Sequence, residues 1–347
     1  MLPVVPTLDP SLAPTLPASS EVGVHGLTHL PRFWARVLAS NHPAVALPHE
    51  PDLDAALLHL LRLPLQPTLG HLLSVRPTLA EFERWVDRTS ERMPEPDAIA
   101  RFNDVVLGGD CPVPYVPSEE DVLTEDDWRT WHQQGYVVVP NALSPEACDQ
   151  TVARMCAHLG VDEHDPATWY DAHPDKQGIM VQLFRGAQLE QNRLTPRVRR
   201  VFEQLWQRTD LLPSFDRVGM NPPVTDAYAF PGPELHWDAS LATPIPFGTQ
   251  GLIYLRDTDA EQGALTLVPG MHRTLDAWLA SLPDPCVART LDLHTLGSRP
   301  VGAAAGSLVV WHQALAHGSR PNRASRPRFV QYVNYQPVRM TVHATWV

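Results

Sequence analysis

GSLVVWHQALAHGSRPNRASRPRFVQYVNYQP, residues 306–337, decides the fold. It holds two short apolar runs, LVVWHQ and RFVQYV, rich in valine and aromatic residues and separated by a turn of Gly, Ser, Pro and Asn. Runs of this length and composition between such breakers read as strands, since a helix would need a longer stretch with a 3.6-residue apolar period. The same texture recurs in IMVQLF (179–184), GLIYLRD (251–257) and GALTLVP (263–269). From about residue 178 onward, many short strands with Gly/Pro turns predict a sandwich or barrel, and a double-sheet jelly roll fits. No GxGxxG and no GK[ST] phosphate loop occurs, which argues against a nucleotide-binding α/β fold.

Upstream the texture changes. Residues 1–26 form a Pro-rich segment without a basic n-region or continuous apolar core, so it does not read as a signal peptide. Residues 27–110 read as a helical extension. Leu30, Phe33, Trp34, Val37 and Leu38 share one face, Leu53, Leu57, Leu58 and Leu61 another, and Thr78 followed by Glu81 makes a capping box ahead of Phe82, Trp85 and Val86. Residues 111–119 are Pro-rich and read as a linker, and 120–347 as the β-rich domain. That domain opens with a helix capped by Thr124 and stopped by Gly135, then the strand YVVVP. A second helix follows with Ser144 as N-cap, Pro145 at its first position and Gly160 as stop.

Bulk properties bound the partners. The 347 residues carry 27 basic and 39 acidic side chains, with 44% hydrophobic and 19% charged residues. This is a globular composition with no basic stripe for nucleic acid. No run approaches the roughly 18 apolar residues of a membrane span. Cys111, Cys148, Cys156 and Cys286 lack CxxC spacing and read as reduced thiols of a cytoplasmic protein, and Cys148, Val152, Met155 and Leu159 form an ordinary helical apolar stripe.

Two His-x-Asp triplets occur, His173-Pro174-Asp175 and His236-Trp237-Asp238. Proline breaks strand geometry in the first, which reads as a loop. In the second, strand parity aims His236 and Asp238 at one point while Trp237 packs oppositely. A 2-His-1-carboxylate face on Fe(II) needs one more histidine, and His312 and His317 are both at hand.

HWD, then GLIYLRDTDAEQGALTLVPGMHR, AAAGSLVVWHQALAHGSRPN and RPR, in this order, resemble the phytanoyl-CoA dioxygenase family over about residues 120–337. The resemblance implies a double-stranded β-helix (jelly-roll, cupin-like) core with flanking helices, and an enzyme using Fe(II), 2-oxoglutarate and O2. By position it implies His236, Asp238 and His317 as metal ligands, Arg328 and Ser319 on the distal carboxylate of 2-oxoglutarate, and Gln182 as a further co-substrate contact. A guanidinium fork suits a carboxylate. The implied reaction is hydroxylation of an aliphatic C–H bond in a small-molecule, lipid or secondary-metabolite substrate, with succinate and CO2 released. The retained Asp238 argues against a halogenase, and desaturation, ring formation and epimerisation stay open. The family's Pro-Gly-Ser-His turn reads Pro269-Gly270-Met271-His272 here, which leaves His272 unassigned.

Blander readings stand beside these. His312 rivals His317 but continues a strand and lacks the Gly-Ser turn. Ser319 and Asn322 could stabilise turns. Trp311, Tyr228, Phe230 and Tyr254 read as core aromatics that could also line a cavity, and His132, His158 and His164 receive no role. Two other classes compete with the oxygenase: a non-catalytic jelly-roll scaffold, and a cupin-like metalloenzyme without 2-oxoglutarate. Arg328 discriminates against the second, which has no need of a buried fork.

Overall fold

The computed structural model describes residues 16–23, 25–40, 47–90, 92–109, 112–343 and 345–347, so Cys111 and much of the Pro-rich segment lie outside the described residues. The chain divides into two compact units, Met1–Cys111 with Pro337–Ala344, and Pro112–Gln336 with Thr345–Val347.

In the first unit, α1 (Leu30–Ala39), α2 (Pro51–Leu60), α3 (Leu65–Val75), α4 (Leu79–Thr89) and α5 (Pro96–Val106) bury Leu30, Phe33, Leu53, Leu57, Leu72, Phe82, Val86 and Phe102. The Thr78/Glu81 capping box forms on α4. Trp34 is half-buried, and its indole N–H donates to the Pro77 carbonyl (2.8 Å). Residues 337–344 belong here rather than to the β-rich domain: the Met340 N–H donates to Asp52 (3.3 Å) and Val338 is buried.

The second unit begins with the expected linker, which is not free-standing. The Tyr115 N–H donates to the Gln207 carbonyl (3.1 Å) and the Thr209 N–H to that of Val113 (2.9 Å). The Arg200 guanidinium covers the Tyr115 ring. Then come α6 (Glu125–Gln134), β1 (Tyr136–Val139) and α7 (Pro145–Leu159), with Thr124 and Ser144 as N-caps and Gly135 and Gly160 ending the helices at φ 81° and 67°. Only glycine adopts that left-handed backbone without strain.

The stretch after residue 178 is less purely β than its sequence suggests. Strands β2 (Lys176–Gln177) and β3 (Met180–Val181) are short, and α8 (Ala187–Arg193) and α9 (Pro196–Trp206) follow. Helix α9 buries Val198, Val201, Phe202 and Leu205, a 3.6-period stripe hidden among flanking arginines. The chain continues through β4 (Leu212–Pro213), β5 (Val218–Asn221), β6 (Thr249–Tyr254), β7 (Leu265–Leu267), α10 (Leu275–Ala280), β8 (Arg299–Val301), β9 (Leu308–His312), β10 (His317–Gly318), β11 (Arg328–Tyr332) and β12 (Tyr335–Gln336).

The large sheet has the order β1-β9-β6-β11-β5-β3-β2, the small one β10-β7-β8, and β12 pairs with β4. All pairs are antiparallel. From β6 to β11 the chain passes large, small, small, large, small, large, and this winding is the double-stranded β-helix. Strand parity sorts the side chains into two cores. Leu308, Val310, Ile253 and Phe329 join residues of α7 and α9 in one core, while Val309, Trp311, Leu252, Tyr254 and Val330 join Trp237, Leu265 and Leu267 in the other.

His312 ends β9 among Trp131, Phe247 and His272. Burial, helped by nearby His272, lowers its pKa to about 4. Such a histidine stays neutral in the fold while the unfolded chain still takes up a proton, so stability present above pH 6.5 is lost as pH falls toward 4. Between pH 7 and pH 5 the loss from this residue is about 2 kcal/mol. Thermal unfolding of wild type and His312→Phe at both pH values checks this: the variant should lose less stability on acidification, and equal losses would remove His312 as the source.

Candidate metal centre

Two backbone hydrogen bonds build the site. The His236 N–H donates to the His317 carbonyl (2.8 Å) and the His317 N–H returns to that of His236 (2.9 Å). His317 opens β10, which is held in the small sheet by β7 through His317 opposite Leu267. The single bridge at His236 extends that sheet by one residue. So the HxD stretch is no regular strand, yet its parity holds: Trp237 is buried in the core between the sheets and donates to the Ala314 carbonyl (3.1 Å).

This close pairing explains the glycine after His317. A Cβ at residue 318 would sit 2.4 Å from the Glu234 carbonyl oxygen and 2.7 Å from its carbon. Those are backbone atoms, which cannot swing aside.

Both imidazoles are oriented the same way. His236 Nδ1 lies 2.8 Å from the Glu234 carbonyl oxygen and His317 Nδ1 lies 3.1 Å from that of Leu315. A carbonyl only accepts, so each Nδ1 carries a proton; without a metal each Nε2 can hold a second proton and donate it to Asp238, and a metal ion would take that proton's place. Asp238 faces both: Oδ1 is 3.4 Å from His236 Nε2 and Oδ2 is 3.2 Å from His317 Nε2. One ligand atom from each residue lies within 4.8 Å of the others. His317 is buried, His236 half-buried and Asp238 exposed, so the cluster opens to solvent on the carboxylate side. Desolvation opposes charge on Asp238, but hydrogen bonds from His236 and His317 and their charges outweigh it, holding its pKa well below the ordinary carboxylate range. Desolvation also disfavours charge on His236, and Asp238 with the Glu234 carbonyl overcomes it and raises that pKa.

Arg328 opens β11 with the parity of Val330, and its side chain is fully buried. Nη1 donates to the Gly263 carbonyl (2.6 Å) and to Ser319 Oγ (3.1 Å). Nε and Nη2 make no hydrogen bond, and among the described residues no carboxylate pairs with the guanidinium. Buried donors of this kind call for a partner, such as a water or an anion. The structure thus joins Ser319 to Arg328, and Asn322 is a turn residue, donating to the Asn221 and Arg326 carbonyls. Gln182 donates to Gln177 Oε1 (3.1 Å), and no hydrogen bond among the described residues joins it to His236, Asp238, His317 or Arg328.

Other histidines fall elsewhere. His312 packs with aromatic rings, and its Nδ1 accepts from the Ala314 N–H (3.0 Å). His158, His173 and Asp175, separated in sequence reading, meet as a second cluster with ligand atoms within 4.8 Å. Here, however, His173 Nδ1 accepts the Asp175 N–H (3.1 Å), which consumes the lone pair of the neutral ring. Sequence reading also missed Gln250, whose amide donates to Asp238 Oδ2 (2.6 Å) while its oxygen accepts from the Trp311 indole (3.0 Å). A pairing across β6 and β9 leaves no local signal.

A double-stranded β-helix whose small sheet assembles two imidazoles and a carboxylate defines a class, the non-haem metal oxygenases. The family comparison agrees. The sequence profile of the phytanoyl-CoA dioxygenase (PhyH) family matches residues 131–330. A Dictyostelium discoideum protein named for phytanoyl-CoA dioxygenase is 22% identical over 261 residues, 60% of this chain and 74% of its own. Ava biosynthesis cluster protein O of Aspergillus versicolor is 25% identical over 242 residues, 61% and 78% of the two chains. Among solved structures, the non-heme alpha ketoglutarate dependent carbocyclase SnoK from nogalamycin biosynthesis overlays with a TM-score of 0.47 at 21% identity, covering 66% of this chain and 90% of that one. The chain belongs to the phytanoyl-CoA dioxygenase family, whose members are Fe(II)- and 2-oxoglutarate-dependent oxygenases using O2. Among the described residues no helix is long and apolar enough to cross a membrane.

Gly318→Ala should push the Glu234 backbone away and separate His236 from His317. Equilibrium dialysis with Fe(II) under argon should find metal affinity lowered by 10-fold or more, on the order seen when supports of a metal site are lost. Unchanged affinity would show that the close approach does not hold the site.

Proposed function

We propose that His236, Asp238 and His317 hold Fe(II), and that Arg328 with Ser319 holds the distal carboxylate of 2-oxoglutarate. The enzyme then hydroxylates an aliphatic C–H bond of a small molecule, a lipid or a secondary metabolite. One observation carries the reading: three ligand atoms converge within 4.8 Å, with both Nε2 atoms turned toward Asp238, in the same unit as a buried guanidinium that has two unused donors. Two imidazoles and one carboxylate suit Fe(II) and leave positions open for co-substrate and O2. When bound, Fe(II) with 2-oxoglutarate supplies the O2 activation that breaks a C–H bond, releasing succinate and CO2.

The chain's own residues do the positioning. The Glu234 and Leu315 carbonyls hold the imidazoles in the ligating tautomer. Nη1 of Arg328 is anchored on Gly263 and Ser319, which leaves Nε and Nη2 for a carboxylate. The half-buried Tyr332 phenol lies beside the same guanidinium. Asp238 would stand as a carboxylate ligand where a halogenase needs a small residue, which favours hydroxylation over halogenation.

Anaerobic addition of Fe(II) and 2-oxoglutarate should give the weak visible charge-transfer band of the chelate. Arg328→Ala should raise the 2-oxoglutarate concentration needed for half the band on the order of 100-fold, the worth of two charge-assisted hydrogen bonds. No band from the wild type, or an unaltered requirement in the variant, contradicts the assignment. For the reaction itself, a cell extract incubated with enzyme, 2-oxoglutarate and ¹⁸O2 should yield a metabolite carrying one labelled oxygen. A product that has only lost two hydrogens would replace hydroxylation by desaturation or ring closure.

A further inference from the structure

We propose that Gln250 is a positioning residue that sets the Asp238 carboxylate for metal binding, and that the Trp311 indole sets Gln250. The inference rests on the reading that His236, Asp238 and His317 hold the metal. Asp238 is exposed, and an exposed aspartate is free to turn its carboxyl group to water. Gln250, on β6, prevents this by donating to Oδ2 at 2.6 Å. Its amide cannot be reversed. The Trp311 indole N–H only donates and so takes the Gln250 oxygen (3.0 Å), while the Asp238 carboxylate only accepts and so takes the NH2. Gln250 and Trp311 are direct cross-strand partners in the β6–β9 register, and Trp311 is buried.

The same indole lies 5.2 Å from the His317 ring, centroid to centroid. One rigid side chain therefore supports two proposed ligands, His317 by packing and Asp238 through Gln250. With an amide on Oδ2, Oδ1 is the oxygen left without an amide donor, on the side of His236 Nε2.

Co(II) titrated into the metal-free full chain tests this, read by the visible ligand-field spectrum and the dissociation constant, with thermal unfolding of the metal-free protein alongside. Gln250→Ala should weaken Co(II) binding by about 10–100-fold and alter the spectrum, the usual cost of losing a group that orients a ligand. It should lower metal-free stability by no more than the loss of the Trp311 hydrogen bond explains, with unfolding still cooperative. Gln250→Met, of similar length but without a donor for Asp238, should weaken binding to a similar extent. Trp311→Phe should weaken it in a way that does not add to Gln250→Ala in the double variant. Wild-type Co(II) affinity and spectrum in Gln250→Ala would overturn the inference, and so would a variant that loses only succinate formation, since Gln250 would then serve the co-substrate or substrate. If the wild type binds no Co(II), or His317→Ala binds it equally well, the metal-site reading fails and takes this inference with it.

Discussion

The reciprocal hydrogen bonds between His236 and His317, 2.8 and 2.9 Å, are the constraint on which the functional end of the molecule depends. They join two segments far apart in sequence at a single residue pair, with no longer ladder to share the load. The small sheet makes this possible, because β10 is already fixed against β7 and β7 against β8. Gly318 makes it possible sterically, since any side chain there would meet the Glu234 backbone. Once the pair is made, each ring finds a carbonyl for its Nδ1 and both Nε2 atoms turn toward Asp238.

The interior between the sheets carries a cost that the fold alone does not explain. Arg328 is fully buried with two donors unused, and a buried donor without a partner destabilises by roughly 1–3 kcal/mol. Tyr254, by contrast, satisfies its hydroxyl on the Val301 carbonyl (2.7 Å) and the Leu265 N–H (2.9 Å), as a structural polar group should. An anionic co-substrate would supply what Arg328 lacks, so the proposed function would account for this local cost in stability as well.

Much of this was legible in the sequence because it is local. Caps at Thr78, Thr124 and Ser144 and stops at Gly135 and Gly160 follow from neighbouring residues, and all form. Short apolar runs between Gly/Pro breakers announced the strands β9 and β11, and i, i+2 parity separated His236 and Asp238 from Trp237. What was hidden is non-local. Gln250 reaches Asp238 only because β6 lies beside β9 with Trp311 opposite, and nothing in GTQGLIYL states that register. Helix α9 was masked by arginines among its apolar residues, and residues 337–344 looked like the end of the β-rich domain until Asp52 took the Met340 N–H. The meeting of His158 with His173 and Asp175 is likewise a product of tertiary folding, and its internal hydrogen bonding makes it a weaker ligand set.

That contrast between two similar His–His–Asp clusters gives the central claim its most direct test. Crystals of the full chain loaded anaerobically with Fe(II) would be measured on both sides of the iron absorption edge. The account predicts one strong anomalous peak, within coordination distance of His236, Asp238 and His317. A peak at His158, His173 and Asp175 instead, or none at His236, would contradict it.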